Sequence, residues 1–419
     1  MNLISKTSIK LNYLAVTDKK HIVYLGCSGF PYGLAEIQRI ILISKSQVMV
    51  GNSVTVFCRR GMHKTANFPE MKASGNFEGI DYIYTSGTPF RNENFFIRNF
   101  LKAKGVINKF LILRKLKKEN KLDFAIISTH SFYSFCYYFI LSKLLGFKTV
   151  LNYVEYYSSV KKKWYKFSKR LNDKLFDIYS PKLADIVFPI SEFLVEDLKI
   201  NTPGKKYLKV PVLTDFDRYG GIKIQEGQKY FLFCGDARYF EVIKFIIDSF
   251  EKLENTTAFL YLVINGHDLD KQLVRNYIEA NSCKNRIRVF SKLTNKELSN
   301  YYKNAIALLI PLRPTFQDTA RFPHKIGEYL ASGNPVISTN YGEVKYYFKD
   351  MENMLIADTY DINLFAKKMQ YVLINTEEAQ KVGCNGRKMA LNNFDYKLYG
   401  QKIDNFLNEE NAKIKRTNT

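Results

Sequence analysis

The sequence is short of acids. Its 419 residues carry 63 Lys and Arg against 40 Asp and Glu, a formal net charge of +23. An excess of that size favours anionic partners: nucleic acid, phosphorylated ligands or an anionic membrane surface. Cysteine is sparse as well. Cys27, Cys58, Cys136, Cys234, Cys283 and Cys384 are scattered, with no C-x-x-C pair and no histidine spacing suited to zinc. That pattern argues against a disulfide framework and fits a reducing cytosol. The opening stretch "MNLISKTSIKLNYLAVTDKKH" lacks the continuous apolar core of a signal peptide. A long hydrophobic run is missing too. "FYSFCYYFILSKLLGF", residues 132–147, is the most apolar long stretch, and it contains Lys143. It falls short of the ~20 residues that span a bilayer, so it reads as a buried helix and no transmembrane span is expected.

What is present is enough apolar material to fold. Hydrophobic residues make up 46% of the chain and aromatics 15%, which argues against global disorder. The length exceeds one ordinary core and suggests two domains of about 200 residues each. "HIVYLGCSGFPYGLAEIQRIILISKSQVMVGNSVTVFCRRG" reads as strand, glycine loop, helix, turn and strand, a βαβ unit that implies a parallel sheet. "FAIIST", "KTVLNYV" and "ADIVFPIS" add buried strands. The pattern breaks in the Pro- and Gly-containing stretch 210–228 and then restarts with "YFLFCG", "AFLYLVING", "IRVFSKL", "IALLIPL" and "PVIST", with helices between them. The expected architecture is therefore α/β: two doubly wound, Rossmann-like domains. Their bounds are 21–215 and 229–392, with an extension at 1–20, a linker at 216–228, and a terminal helix and tail at 393–419.

The loop "GCSGFPYG" sets Gly26, Gly29 and Gly33 directly after the first strand. Glycines there let backbone approach a ligand, and let a helix N-terminus meet an anion. The spacing is G-x-x-G-x-x-x-G, not the dinucleotide fingerprint, and the second strand ends in Arg59 and Arg60 where that fingerprint wants an acid. Two basic stretches follow in the same half. "FIRNFLKAKGVINKFLILRKLKKEN", 96–120, mixes Lys and Arg with apolar residues at helical intervals, and "KKKWYKFSKRLNDK" spans 161–174. Such stretches suit an anionic membrane surface, where each cation contributes about 1 kcal/mol. No nucleic-acid-binding motif accompanies the charge.

The densest signal is "RFPHKIGEYLASGNPVIST", 321–339. A helix there opens on Arg321, His324 and Lys325 and carries one carboxylate, Glu328, a turn later. Bases are disfavoured in a first turn by the macrodipole, so a cationic start is either solvated or a site for an anion.

Six stretches in order resemble the GT-B glycosyltransferases of family GT4. They are "HIVYLGCSGFPYG", "ADIVFPISEFLVEDL", "VPVLTDFD", "YFLFCGDARYF", "RFPHKIGEYLASGNPVIST" and "NFDYKLYGQKIDNFL". The resemblance implies two domains facing across a cleft, with a terminal helix that crosses back to the first. It implies transfer of a sugar from a nucleotide-diphosphate donor to a hydroxyl acceptor with retention, without a metal or other cofactor. Gly235, Arg238, Arg321, Phe322 and Lys325 would then hold the donor, and Glu328 the ribose hydroxyls. Gly29 and Gly33 would lie on the acceptor side. Glu155 stands about where the family has its active-site His, and His130 is the other catalytic candidate. Two departures matter. The first Glu of the family's E-x7-E motif falls at Ala320, with Asp318 the nearest acid; the expected phosphate Lys falls near Glu241, with Lys244 a turn further on. The basic first half suggests a lipid-linked glycan acceptor and a peripheral place on the inner face of the cell membrane, in surface polysaccharide assembly. No nucleic-acid partner is expected. Two other readings stay open: an NADP-dependent oxidoreductase using Arg59 and Arg60, and a non-catalytic anion-binding protein on a degenerate GT-B fold.

Overall fold

A computed structural model describes residues 19–33, 35–58, 61–62, 71–159, 167–222, 227–254 and 256–417. The first sheet holds β1 (His21–Leu25), β2 (Ser53–Cys58), β3 (Ser74–Phe77), β4 (Ile80–Tyr84), β5 (Phe124–Ile127), β6 (Lys148–Tyr153), β7 (Ile186–Pro189) and β8 (Lys206–Tyr207). Their spatial order is β3-β4-β2-β1-β5-β6-β7-β8. All neighbours run parallel except the β3–β4 hairpin. The second sheet holds β9 (Tyr230–Asp236), β10 (Phe259–Asn265), β11 (Ile287–Phe290), β12 (Ala307–Ile310), β13 (Val336–Thr339) and β14 (Leu355–Ala357). Its order is β11-β10-β9-β12-β13-β14, parallel throughout.

The central strands are short continuous apolar runs. FAII, IVFP and ALLI are buried at every position, as a parallel sheet covered on both faces requires. Both sheets have a topological switch point, β1/β5 in the first and β9/β12 in the second. Open α/β sheets bind ligands beyond the carboxyl ends of strands at such points. The glycine loop leaves β1, and His130 follows β5. Gly235 is the penultimate residue of β9, and Arg313 follows β12.

One apolar cluster runs from Leu25 and Leu151 through Val212 and Phe216 to Leu232 and Ile326, so the two sheets share core. The proposed linker is accordingly packed in part. Phe216 and Tyr219, in the single turn Phe216–Tyr219, are both buried. Arg39 is buried and fixes the approach to it, donating to the carbonyls of Val210 and Pro211 at 2.7 and 2.6 Å and to Asn152 at 2.9 Å.

The chain returns to the first domain. Helix Thr376–Phe394 ends at Asp395, and helix Tyr396–Thr417 packs on helix Ala35–Met49. Gly400 lies so close to Ser46 that a Cβ would come within 2.4 Å of its carbonyl oxygen. A buried Lys20–Asp404 ion pair of 2.8 Å fastens the contact, and Asn52 donates to the same carboxylate. Thr214 and Asp395 form an isolated parallel bridge where the two crossings pass. Among the described residues no helix is long and apolar enough to cross a membrane.

Candidate active site

The second domain presents a guanidinium cluster built on one acid. Thr315 caps the short helix Phe316–Ala320, and Asp318 lies in it, fully buried. Asp318 accepts from Arg313 Nε at 2.9 Å and Nη2 at 3.1 Å, from the Arg313 amide at 2.9 Å, and pairs with Arg321 Nη2 at 2.7 Å. Burial opposes its ionisation, but the two guanidiniums and the amide outweigh that and hold the carboxyl below its ordinary range. Arg321 in turn donates from Nη1 to the Tyr239 hydroxyl at 2.8 Å and lies over that ring at 4.9 Å. Its Nε is buried without a hydrogen-bond partner. Arg321 is thereby tied to the loop that leaves β9, where Arg238 sits, just beyond the end of the strand that carries Gly235. Arg238 itself is 69% exposed and engages its neighbour Asp236 at 2.9 Å.

The helix His324–Ser332 follows at once. Pro323 is its N-cap and offers no capping side chain, so the first-turn amides lack one. Gly333 ends it in the left-handed region, at φ 83°. Lys325 and Glu328 pair at 2.8 Å. Burial penalises both charges, yet each stabilises the other, raising the Lys325 ammonium and lowering the Glu328 carboxyl. Glu328 also lines a narrow crevice with Arg218 and Tyr219 of the crossover and Gln38 of the first domain. His324 faces the same crevice. Burial, with Arg39 adding to it, drives its imidazole down to about 3.

Phe322 departs from its expected role. Its side chain is buried, stacked on Tyr347 with centroids 5.6 Å apart and packed edge-on against Phe394. A ligand could meet its backbone but not its ring. Lys244 pairs with Asp248 on its own helix and does not join the cluster. Gly235 has a packing reason as well, because a Cβ there would come within 2.6 Å of the Phe233 ring.

The opposite wall belongs to the first domain. Glu155 follows β6 and accepts from Gln317 of the short helix at 2.8 Å, across the interface. Phe316 of that helix packs between Tyr156 and Phe193, with centroids 5.3 and 4.8 Å away. Exposed His130 sits 6.0 Å from the Tyr157 ring. Tyr157 also feels the charges of Glu155 and Glu36, so these groups share one patch of field. Glu36 opens the helix after the glycine loop and accepts from Ser128 at 3.3 Å. Although it still meets solvent, desolvation in the cleft raises its carboxyl, and the Ser128 hydroxyl offsets only part of that. Gly29 keeps the loop in the left-handed region at φ 88°, while a Cβ on Gly33 would strike Ile37 at 2.4 Å.

Sequence reasoning had not singled out Glu36, Tyr239, Arg313 or Gln317. Glu36 carried a local signal, an acid in the first turn after a glycine loop. Arg59 and Arg60 lie outside the described residues, as do 161–166 of the second basic stretch. Among the described residues no group of three His, Cys, Asp or Glu is placed to hold a metal ion.

Two doubly wound α/β domains, with the Arg313–Asp318–Arg321 cluster on one wall and Glu155 on the other, have the GT-B glycosyltransferase fold. Sucrose-phosphate synthase from Thermosynechococcus elongatus superposes with a TM-score of 0.74 at 14% identity, over 94% of this chain and 100% of that one. HepE of Anabaena, in complex with UDP-glucose, gives 0.67 at 14% identity, over 93% of this chain and 99% of that one. Residues 220–389 match the sequence profile of Glycosyl transferases group 1. A 2-deoxystreptamine N-acetyl-D-glucosaminyltransferase of Niallia circulans is 23% identical over 168 residues. That alignment spans 40% of this chain and 42% of the enzyme, less than half the length of either.

Proposed function

We propose that the protein transfers a sugar from a nucleotide-diphosphate donor to a hydroxyl of a lipid-linked glycan, with retention and without a metal. The observation that carries this reading is the cluster of Arg321 on Asp318 and Tyr239, set immediately before an uncapped helix start. A diphosphate laid there meets amide N–H groups and a fixed cation together. As the anomeric carbon–oxygen bond breaks, negative charge grows on the β-phosphate, and Arg321 and Lys325 stabilise it more than they stabilise the ground state. The acceptor hydroxyl attacks on the same face, its oxygen bonds to the anomeric carbon, and its proton passes to the departing phosphate. Retaining glycosidases use two closely set carboxylates for a covalent intermediate. Here Glu155 already holds Gln317, and its role is to orient the sugar or to stabilise positive character at the anomeric carbon. His130 borders the acceptor. Closure of the domains excludes water and suppresses hydrolysis.

The acceptor and its location are inferred from the first domain. Helix Phe95–Lys118 exposes Phe96 by 80% and Phe100 by 69% beside its lysines. Exposed aromatics among cations suit docking on the anionic inner face of a cell membrane, where surface polysaccharides are assembled.

Thermal unfolding with UDP, GDP, ADP and NADPH in parallel tests the donor reading. A ligand that binds only the folded state at 100 times its Kd adds about 2.7 kcal/mol. A shift with one nucleoside diphosphate supports the transferase and identifies the base; a shift with NADPH alone overturns it.

A further inference from the structure

We propose that the cavity between helices Phe95–Lys118 and Phe132–Leu145 is a pocket for a phosphate or diphosphate group carried by the acceptor. The proposal rests on the transferase reading above and names where that acceptor is held. The cavity measures about 350 Å³, within the range of small-molecule sites. Lys102 and Lys109 line it together with Thr85, Ser134 and Tyr138, and among the described residues no carboxylate does. Lys109 is almost fully buried, and its Nζ donates to the Tyr138 hydroxyl at 3.0 Å and lies 5.0 Å over that ring. A buried, hydrogen-bonded ammonium among hydroxyl-bearing side chains is a donor set that suits a phosphate ester.

The surroundings fix what else the ligand carries. Gly105 brings the long helix against the carboxyl end of β4, where a Cβ would stand 3.2 Å from the Ser86 nitrogen. Ser131, also in the lining, caps helix Phe132–Leu145 and directly follows His130. The pocket therefore adjoins the candidate reacting wall. Its rim is apolar: Val106 is 48% exposed and Tyr133 62%. The same helix carries Phe96 and Phe100 outward. A phosphate bound at Lys109 would thus have an apolar surface on one side and the sugar-transfer cleft on the other. That suits an acceptor with a lipid on one end of a diphosphate and a sugar on the other.

Calorimetric titration of the full chain tests this with geranyl diphosphate, pyrophosphate and glucose 6-phosphate as probes. The variants are Lys102→Gln, Lys109→Met, Val106→Glu and Arg321→Met. Val106 is exposed, so Val106→Glu keeps the test valid should Lys109→Met fail to fold. The expected result is geranyl diphosphate binding weakened at least tenfold by Val106→Glu and at least threefold by Lys102→Gln, and unchanged by Arg321→Met. Tighter binding of geranyl diphosphate than of glucose 6-phosphate makes the source a lipid; the reverse makes it a soluble sugar phosphate, and either supports the pocket. Binding that is lost in Arg321→Met and untouched by the pocket variants overturns the pocket and leaves the donor site standing. Pocket-dependent binding without a thermal shift from any nucleoside diphosphate keeps the pocket and removes the transferase. No binding of any probe to the unaltered protein overturns the proposal.

Discussion

Replacing Arg321 by Met separates the role of this side chain in folding from its role in chemistry. In the folded protein Arg321 contributes a 2.7 Å ion pair to Asp318 and a 2.8 Å hydrogen bond to Tyr239. Asp318 does not become an orphan when the first is removed. It keeps three contacts from Arg313, two from the guanidinium and one from the amide. A hydrogen bond to a charged group contributes about 1.5–3 kcal/mol, and the partner left behind remains satisfied, so the stability loss should lie near the lower end, about 1–2 kcal/mol. The loss in the reaction should be larger. Removing one fixed donor aimed at a developing oxyanion costs about 2.7–4 kcal/mol, or 10²–10³ in kcat. The assay is release of the nucleoside diphosphate from the donor that raises the melting temperature, run beside urea unfolding of the same variant. A kcat within threefold of the unaltered protein, at unchanged KM, would refute the phosphate role. A collapse of stability beyond about 4 kcal/mol would mean that Asp318 depends on Arg321 and not on Arg313.

Two further outcomes follow from the same geometry. His324 has its imidazole driven from 6.5 to about 3 by burial and by Arg39, with Lys325 adding to this and Glu328 opposing it. Below pH 6.5 the unfolded chain takes up a proton that the folded protein refuses, so stability falls with pH, by about 2 kcal/mol at pH 5. His324→Gln should flatten that slope between pH 7 and 5 in urea titrations, and equal slopes would refute the assignment. On the long helix, Phe96→Ser with Phe100→Ser should lower partition onto anionic vesicles at least tenfold in a pelleting assay, since burying each ring is worth about 1.5–3 kcal/mol. Unchanged pelleting, insensitive to salt, would remove the membrane face.

The strands at the sheet centres are readable because burial on both faces forces continuous apolar runs such as FAII and ALLI. The β3–β4 hairpin escapes that test. One of its strands is the polar SGNF, and the other shows only alternate burial at Ile80, Tyr82 and Tyr84. The turn between them, Glu78 at φ 50° and Gly79 at φ 84°, is the real signal and depends on a non-glycine residue in the left-handed region. At the site, Arg321, Lys325 and Glu328 stand out because bases at a helix start need a reason. The buried role of Asp318 was within reach, with Arg313 and Arg321 five residues before it and three after. The Glu155–Gln317 contact was not, because 162 residues separate the partners and only the fold brings them together. The burial of the Phe322 side chain is not legible, because an aromatic beside an anion site and an aromatic beneath it look alike in one dimension.

The returning helix has a mechanical consequence. Because the chain re-enters the first domain, the second domain is held by two backbone strands, and these are bonded to each other. The Thr214 amide donates to Phe394 at 2.8 Å and the Tyr396 amide to Thr214 at 3.2 Å. A body hung on two stitched cords turns most easily about the line through the stitch. Sliding and tilting would have to break those bonds or pull Gly400 out of its seat on Ser46. A hinge swing that opens the cleft must also part Gln317 from Glu155 and draw Phe316 out from between Tyr156 and Phe193, while Lys20 and Asp404 keep the returning helix on the first domain.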